Sequence, residues 1–82
     1  MKITLLFFAS LRDMINAPRL EIEMPDGTIQ DAVDLLGSRY PQARQLLERV
    51  HAAVNDEYRE RNTPLRDGDI LALIPPVSGG AR

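Results

Sequence analysis

Five apolar residues in a row, Ile70-Leu71-Ala72-Leu73-Ile74, are fenced between the turn sequence Pro64-Leu65-Arg66-Asp67-Gly68-Asp69 and the diproline Pro75-Pro76. A run this short and this continuously apolar reads as a strand in the middle of a sheet. Proline fixes φ and carries no backbone N–H, so Pro75-Pro76 stops that strand from pairing further and directs the last residues off the body of the domain. The rest of the chain has to supply neighbours for a central strand.

It does so in order. Residues 2–8 alternate weakly, with Ile3, Leu5 and Phe7 on one side and Lys2, Thr4, Leu6 and Phe8 on the other, as in a central strand covered on one face. Arg19 to Met24 alternate cleanly, Leu20, Ile22 and Met24 inward, and Pro25-Asp26-Gly27 then supplies a turn. Thr28 is an N-cap with Asp31 three residues on, and Ile29, Ala32, Val33 and Leu36 follow at helical spacing. Gly37 is expected to end that helix. Pro41 opens a second, shorter helix with Ala43, Leu46, Leu47 and Val50 inward. His51 to Asn55 reads as a short strand with Ala52 and Val54 inward, and the polar stretch through Asn62 as an edge strand or loop.

The predicted order is strand, strand, helix, short helix, strand, possible edge strand, strand. It fits an α+β roll whose first and last strands pair in parallel at the centre of a mixed sheet, the β-grasp arrangement of ubiquitin. We expect a β-grasp domain over 1–76 and a flexible C-terminal tail over 77–82.

Composition narrows the function. Eighty-two residues, 44% of them hydrophobic, suffice for one core but not for a core plus an enclosed active-site cavity. A formal net charge of −2 leaves no basic footprint for nucleic acid. There is no cysteine, which excludes disulfides, thiolate metal sites and cysteine nucleophiles. His51 is the only histidine, so no metal site is expected. The apolar start, Ile3 to Leu11, is too short to span a membrane. Arg12-Asp13 also stands where a signal peptide would be cleaved. The expected location is cytoplasmic, with no membrane partner.

After the diproline come Val77-Ser78-Gly79-Gly80. Glycine removes the side-chain obstacle to a narrow tunnel, and from Val77 to Gly80 an extended backbone spans about 13 Å. That is enough to cross a partner's wall and present one carboxylate to buried chemistry. With Leu6-Phe7-Phe8-Ala9-Ser10-Leu11-Arg12-Asp13 near the start, Ala52-Ala53-Val54-Asn55 in the middle and the turn, strand and Pro-Pro-Val-Ser-Gly-Gly ending, the chain resembles the MoaD-type small subunit of molybdopterin synthase. It is similar to the ThiS-type thiamin sulfur carriers over fewer of these segments.

The resemblance implies a sulfur carrier, non-catalytic on its own. The carboxylate of Gly80 would be adenylated by an E1-like adenylating enzyme using ATP and converted to a thiocarboxylate by a sulfur donor. The tail would then enter the large subunit of a heterotetrameric synthase and give its sulfur to cyclic pyranopterin monophosphate for the molybdenum cofactor. The carrier itself would bind no cofactor. Gly80 would react, Gly79 would allow close approach, and Pro75, Pro76, Val77 and Ser78 would position the tail. Phe8 and Ile74 correspond to positions that contact the large subunit in that family. The expected partner interface is Leu6, Phe8, Arg12, Ala72 and Ile74, of which Leu6, Phe8, Ala72 and Ile74 share the face that the helix leaves uncovered.

One departure stands out: members of that family typically end at the second glycine, whereas here Ala81-Arg82 follows. The expected working form has lost both residues. Alternatives with the same terminal chemistry are a sulfur carrier for thiamin or another thiolation pathway, and a ubiquitin-like protein modifier joined through Gly80 to lysines of a target. A purely non-covalent interaction module is another.

Overall fold

The computed structural model describes residues 1–76. Strand β1 (Lys2–Phe7) is followed by helix α1 (Ala9–Ile15), strand β2 (Arg19–Glu23) and helix α2 (Ile29–Arg39). A 3-10 turn (Pro41–Ala43) runs into the short helix α3 (Arg44–Leu47), and strands β3 (His51–Val54), β4 (Glu57–Tyr58) and β5 (Ile70–Ile74) complete the fold. The strands form one mixed sheet in the order β2-β1-β5-β3-β4. β1 and β5 are parallel, with Leu6 beside Ala72, and every other pairing is antiparallel. The expected central position of β5 and its parallel partnership with β1 are both present.

Alternation decides the core. Ile3, Leu5 and Phe7 of β1, Ile22 of β2, Ala52 of β3 and Leu71 and Leu73 of β5 are buried in one cluster with Ile29, Ala32, Val33 and Leu36 of α2 and with Ala43 and Leu47. None of the buried side chains among the described residues is polar or charged. Helix α2 starts as its sequence predicts: the Asp31 N–H donates to Thr28 Oγ1 at 3.3 Å while Thr28 N donates to Asp31 Oδ2 at 2.8 Å, a reciprocal capping box.

Three expectations need correction. Helix α1 is absent from the order that the sequence predicts; it buries Leu11 and Ile15, one helical turn apart, and closes the end of the core beyond β1. Strand β1 stops at Phe7, because Phe8 is the N-cap of α1. Gly37 does not end α2, which continues to Arg39 and is capped by Tyr40. Gly37 is buried there, and a Cβ on it would stand 3.4 Å from Cγ of Arg44 and 3.8 Å from Cδ1 of Leu47. The glycine is a mid-helix residue facing α3 with room for a methyl and little more, so it does not act as a cap.

Candidate functional site

The face of the sheet away from the helices takes the residues that alternation leaves over. In β1 these are Lys2, Thr4 and Leu6, in β5 Ile70, Ala72 and Ile74, and in β3 His51 and Ala53. Leu6 lies directly beside Ala72, and Ala72 directly opposite Ala53. Leu6, Ala72 and Ile74 are half-buried by one another's neighbourhood, while Ile70 is 44% exposed. Ala53 is only 6% exposed yet lies outside the core cluster, which places it in the floor of this second face.

Phe8 joins the patch through its backbone. Its φ of −132° and ψ of 153° continue the extended strand by one residue, so its side chain falls on the side of Leu6 and is 42% exposed. Ala9 then takes a left-handed φ of 52° and turns the chain away into α1. The Phe8 carbonyl accepts from Leu11 N at 3.1 Å and Arg12 N at 3.3 Å, which fixes the residue at the helix start. Arg12 is exposed on α1, beyond the end of the sheet and not on its face.

The fold therefore brings together four of the five expected interface residues and sets Arg12 beside them on a separate element. Two contributors went unpredicted. Ile70 was hidden in a run that looked buried throughout, although its even spacing with Ala72 and Ile74 was the available signal. Tyr58 is 71% exposed; it pairs opposite Ala53 across the β3–β4 turn and meets His51 edge-on, with ring centroids 6.4 Å apart. Charged residues bound the patch on the β2 side, where Arg19, Glu21 and Glu23 stand beside Leu6, Thr4 and Lys2. An apolar centre with a polar rim is the anatomy of a protein interface.

The strand that carries Ala72 and Ile74 leads straight to the diproline, where Pro75 is buried and Pro76 exposed. The expected reacting residue Gly80, with Val77, Ser78 and Gly79, lies outside the described residues, as does the tail assigned to 77–82. Among the described residues no group of three or more His, Asp or Glu side chains could hold a metal ion, and no helix is long and apolar enough to cross a membrane.

Comparison with known proteins agrees with this architecture. The chain is 40% identical over 81 residues to the molybdopterin synthase sulfur carrier subunit of Mycobacterium tuberculosis, covering 96% of this chain and 98% of that one. SAMP1 from Haloferax volcanii superposes with a TM-score of 0.85 at 26% identity, covering 98% of this chain and all of that one. A chain in the protein–protein complex of subunits 1 and 2 of molybdopterin-converting factor from Helicobacter pylori superposes with a TM-score of 0.69 at 28% identity, covering 98% of this chain and 100% of that chain. The fold is the ubiquitin-like β-grasp. A model of the ThiS family matches residues 5–80, and the chain belongs to the ThiS family.

Proposed function

We propose that this chain is the sulfur carrier subunit of a molybdopterin synthase. The observation that carries the reading is the coupling of two features on one strand: β5 contributes Ala72 and Ile74 to an exposed apolar face and continues directly into Pro75-Pro76-Val77-Ser78-Gly79-Gly80. A partner seated on Leu6, Phe8, Ala72 and Ile74, with Arg12 at its rim, receives the following residues at its own surface. The similarity to a subunit found in complex with its partner in Helicobacter pylori supports a large subunit as that partner.

Because Ala81 follows Gly80, a carboxylate on Gly80 exists only after the Gly80–Ala81 bond is cleaved. An E1-like enzyme then joins that carboxylate to the α-phosphate of ATP, releasing pyrophosphate. A sulfur donor displaces AMP and leaves a thiocarboxylate. The thiocarboxylate passes its sulfur to cyclic pyranopterin monophosphate in the large subunit. The carrier supplies docking and reach, and the bond-making groups belong to its partners, so it needs no base, metal or thiol of its own.

The test compares the chain ending at Gly80 with the chain ending at Arg82, each incubated with an activating enzyme, ATP and a sulfur donor. The shorter form should gain one sulfur in place of one oxygen in its intact mass and support sulfuration of the pterin. The longer form should do neither unless a protease is supplied. Failure of the shorter form with its cognate enzymes overturns the reading. The similarity to SAMP1, the small archaeal modifier protein 1, favours a protein modifier as the second reading; conjugates of higher mass in cell extracts, with no sulfur in pterin, would establish it.

A further inference from the structure

The chain has one lysine, Lys2, against nine arginines. Because β1 and β5 are parallel, with Thr4 beside Ile70 and Phe7 beside Leu73, Lys2 lies at the opposite end of the sheet from Pro76. Its main chain is pinned there. Lys2 N donates to Asp67 Oδ1 at 2.7 Å, and its carbonyl accepts from Gly68 N at 2.8 Å. The amino group of Met1, at the same end, donates to the Met24 carbonyl at 2.6 Å.

The end of the sheet from which Pro76 departs carries a different kind of cation. Arg12 stands on α1, Arg19 at the start of β2 beside Leu6, Arg49 two residues before His51, and Arg59 where its N–H meets the Ala52 carbonyl at 3.0 Å. All four are exposed. A guanidinium stays protonated and is a poor acyl acceptor, whereas a lysine ammonium gives up its proton far more readily and then attacks carbonyls. His51, beside Ile74, is the other basic group at this end, and an acyl group placed on an imidazole is a transient intermediate.

We infer that the chain is built so that its activated carboxyl cannot be captured by its own amines. This rests on the reading that Gly80 is activated. An amine attacking the Gly80 acyl-adenylate would form a C–N bond, break the C–O bond to AMP, expel AMP and lose one proton to solvent, ending the carrier in a dead amide. Reach prevents it. Continuing the β1–β5 register, Lys2 and Pro76 are offset by eight residues, about 26 Å at about 3.3 Å per residue, while four residues of any conformation, as from Pro76 to Gly80, can span at most about 13 Å. A lysine stem adds on the order of 6 Å, which still leaves a gap of several ångströms. Continuing the β3–β5 register from His51 beside Ile74 sets Arg49 opposite Pro76, and Arg12 follows the end of β1 at the same end of the sheet; neither guanidinium is a competent acyl acceptor. The acyl group therefore passes only to a second molecule.

The test uses the chain ending at Gly80, prepared chemically as a C-terminal thioester and held dilute at mildly alkaline pH. Attack by an amine then expels a thiol in place of AMP. The unsubstituted protein should yield only the hydrolysed acid. Arg49→Lys and Arg12→Lys should each yield a product lighter than the acid by one water, with Gly80 linked to the new lysine on peptide mapping. The thioester should disappear at least about tenfold faster, because a tethered amine acts at an effective concentration in the millimolar range. Arg66→Lys, in the turn beside Lys2, should behave like the unsubstituted protein. Capture by Lys2 or Met1 in the unsubstituted chain would overturn the inference, as would failure of both Arg12→Lys and Arg49→Lys to cyclise. Since no activating enzyme is used, this outcome is independent of whether the protein carries sulfur.

Discussion

Asn55 and Ile70 exchange two hydrogen bonds although Asn55 lies beyond the end of its strand. Asn55 N donates to the Ile70 carbonyl at 2.9 Å, and Ile70 N donates to Asn55 Oδ1 at 3.0 Å. The side-chain oxygen stands where a strand residue would offer its backbone carbonyl, which frees the backbone of Asn55 for the tight turn at φ 49°. Its Nδ2 also donates to Asp69 Oδ1 at 3.0 Å, so one side chain ties the β3–β4 turn to the start of β5.

Asn55→Ala should therefore destabilise the domain by about 1–2 kcal/mol, since it removes two hydrogen bonds and places alanine at a positive φ that asparagine tolerates better. Asn55→Gly should fall between the two, because it relieves the backbone and restores no hydrogen bond. Urea unfolding monitored by circular dichroism measures both. Equal stability of Asn55→Ala and the unsubstituted protein would show that water replaces the side chain at no cost.

Arg61 closes the end of α3. Its Nη2 donates to the carbonyls of Leu47 at 2.6 Å and Val50 at 3.1 Å, and Nη1 reaches Gln30 Oε1 at 3.4 Å. A planar fork is required to serve all three, so Arg61→Lys should not rescue what Arg61→Met loses, and each should cost about 1–3 kcal/mol. A lysine variant as stable as the arginine form would show that charge alone is sufficient.

Phe8 and Leu5 sit on opposite faces of the same strand end, with Leu5 fully buried. Phe8→Asp should leave the far-ultraviolet spectrum and the melting transition nearly unchanged. It should weaken binding to a cognate large subunit by about a hundredfold or more, because it puts an unpaired charge into an interface core. Leu5→Ala should do the reverse, costing about 2–5 kcal/mol of stability as a core truncation. An unfolded Phe8→Asp protein would mean that Phe8 supports the core.

At Gly37 the added methyl of alanine would lie in ordinary van der Waals range of Arg44 and Leu47. Gly37→Ala should consequently be neutral or stabilising by up to about 1 kcal/mol, the helix propensity of alanine over glycine. Gly37→Leu should destabilise, because the larger side chain has to push α3 and its Arg44 Nε to Gly37 carbonyl hydrogen bond apart. Thermal melts of the two variants decide the sign.

What could be read from the residues is what local chemistry determines. Thr28 and Asp31 announce the start of α2 because their capping box needs only four consecutive residues. The diproline ends β5 for the same local reason. Helix α1 escaped because the switch from strand to helix is made by Ala9 at φ 52°, where neither glycine nor proline marks the change and seven residues show barely two turns of periodicity. The exposed Ile70 escaped because an unbroken apolar run conceals which of its faces is covered; only the helix layer decides that. Tyr58 required the pairing of β4 opposite Ala53, a register that composition does not carry. The chemistry expected at Gly80 depends on covalent structure beyond the described residues, and no packing argument reaches it.

The last strand among the described residues, β5, occupies the middle of the sheet, and this has a consequence during synthesis. Thr4 and Ile70 are neighbours in the ladder although they stand 66 positions apart in the sequence, so most of the chain must exist before the central pairing can form. Until then β1 and β3 both present open edges, the state in which strands associate with the wrong partner. Closing a loop of this length also carries an entropic cost that slows folds dominated by distant contacts. A nascent or shortened chain that lacks β5 has Leu6 and Phe8 without Ala72 and Ile74, and thus half of the apolar face. Recognition by any partner that reads all four residues doubles as a check that translation and folding have both finished.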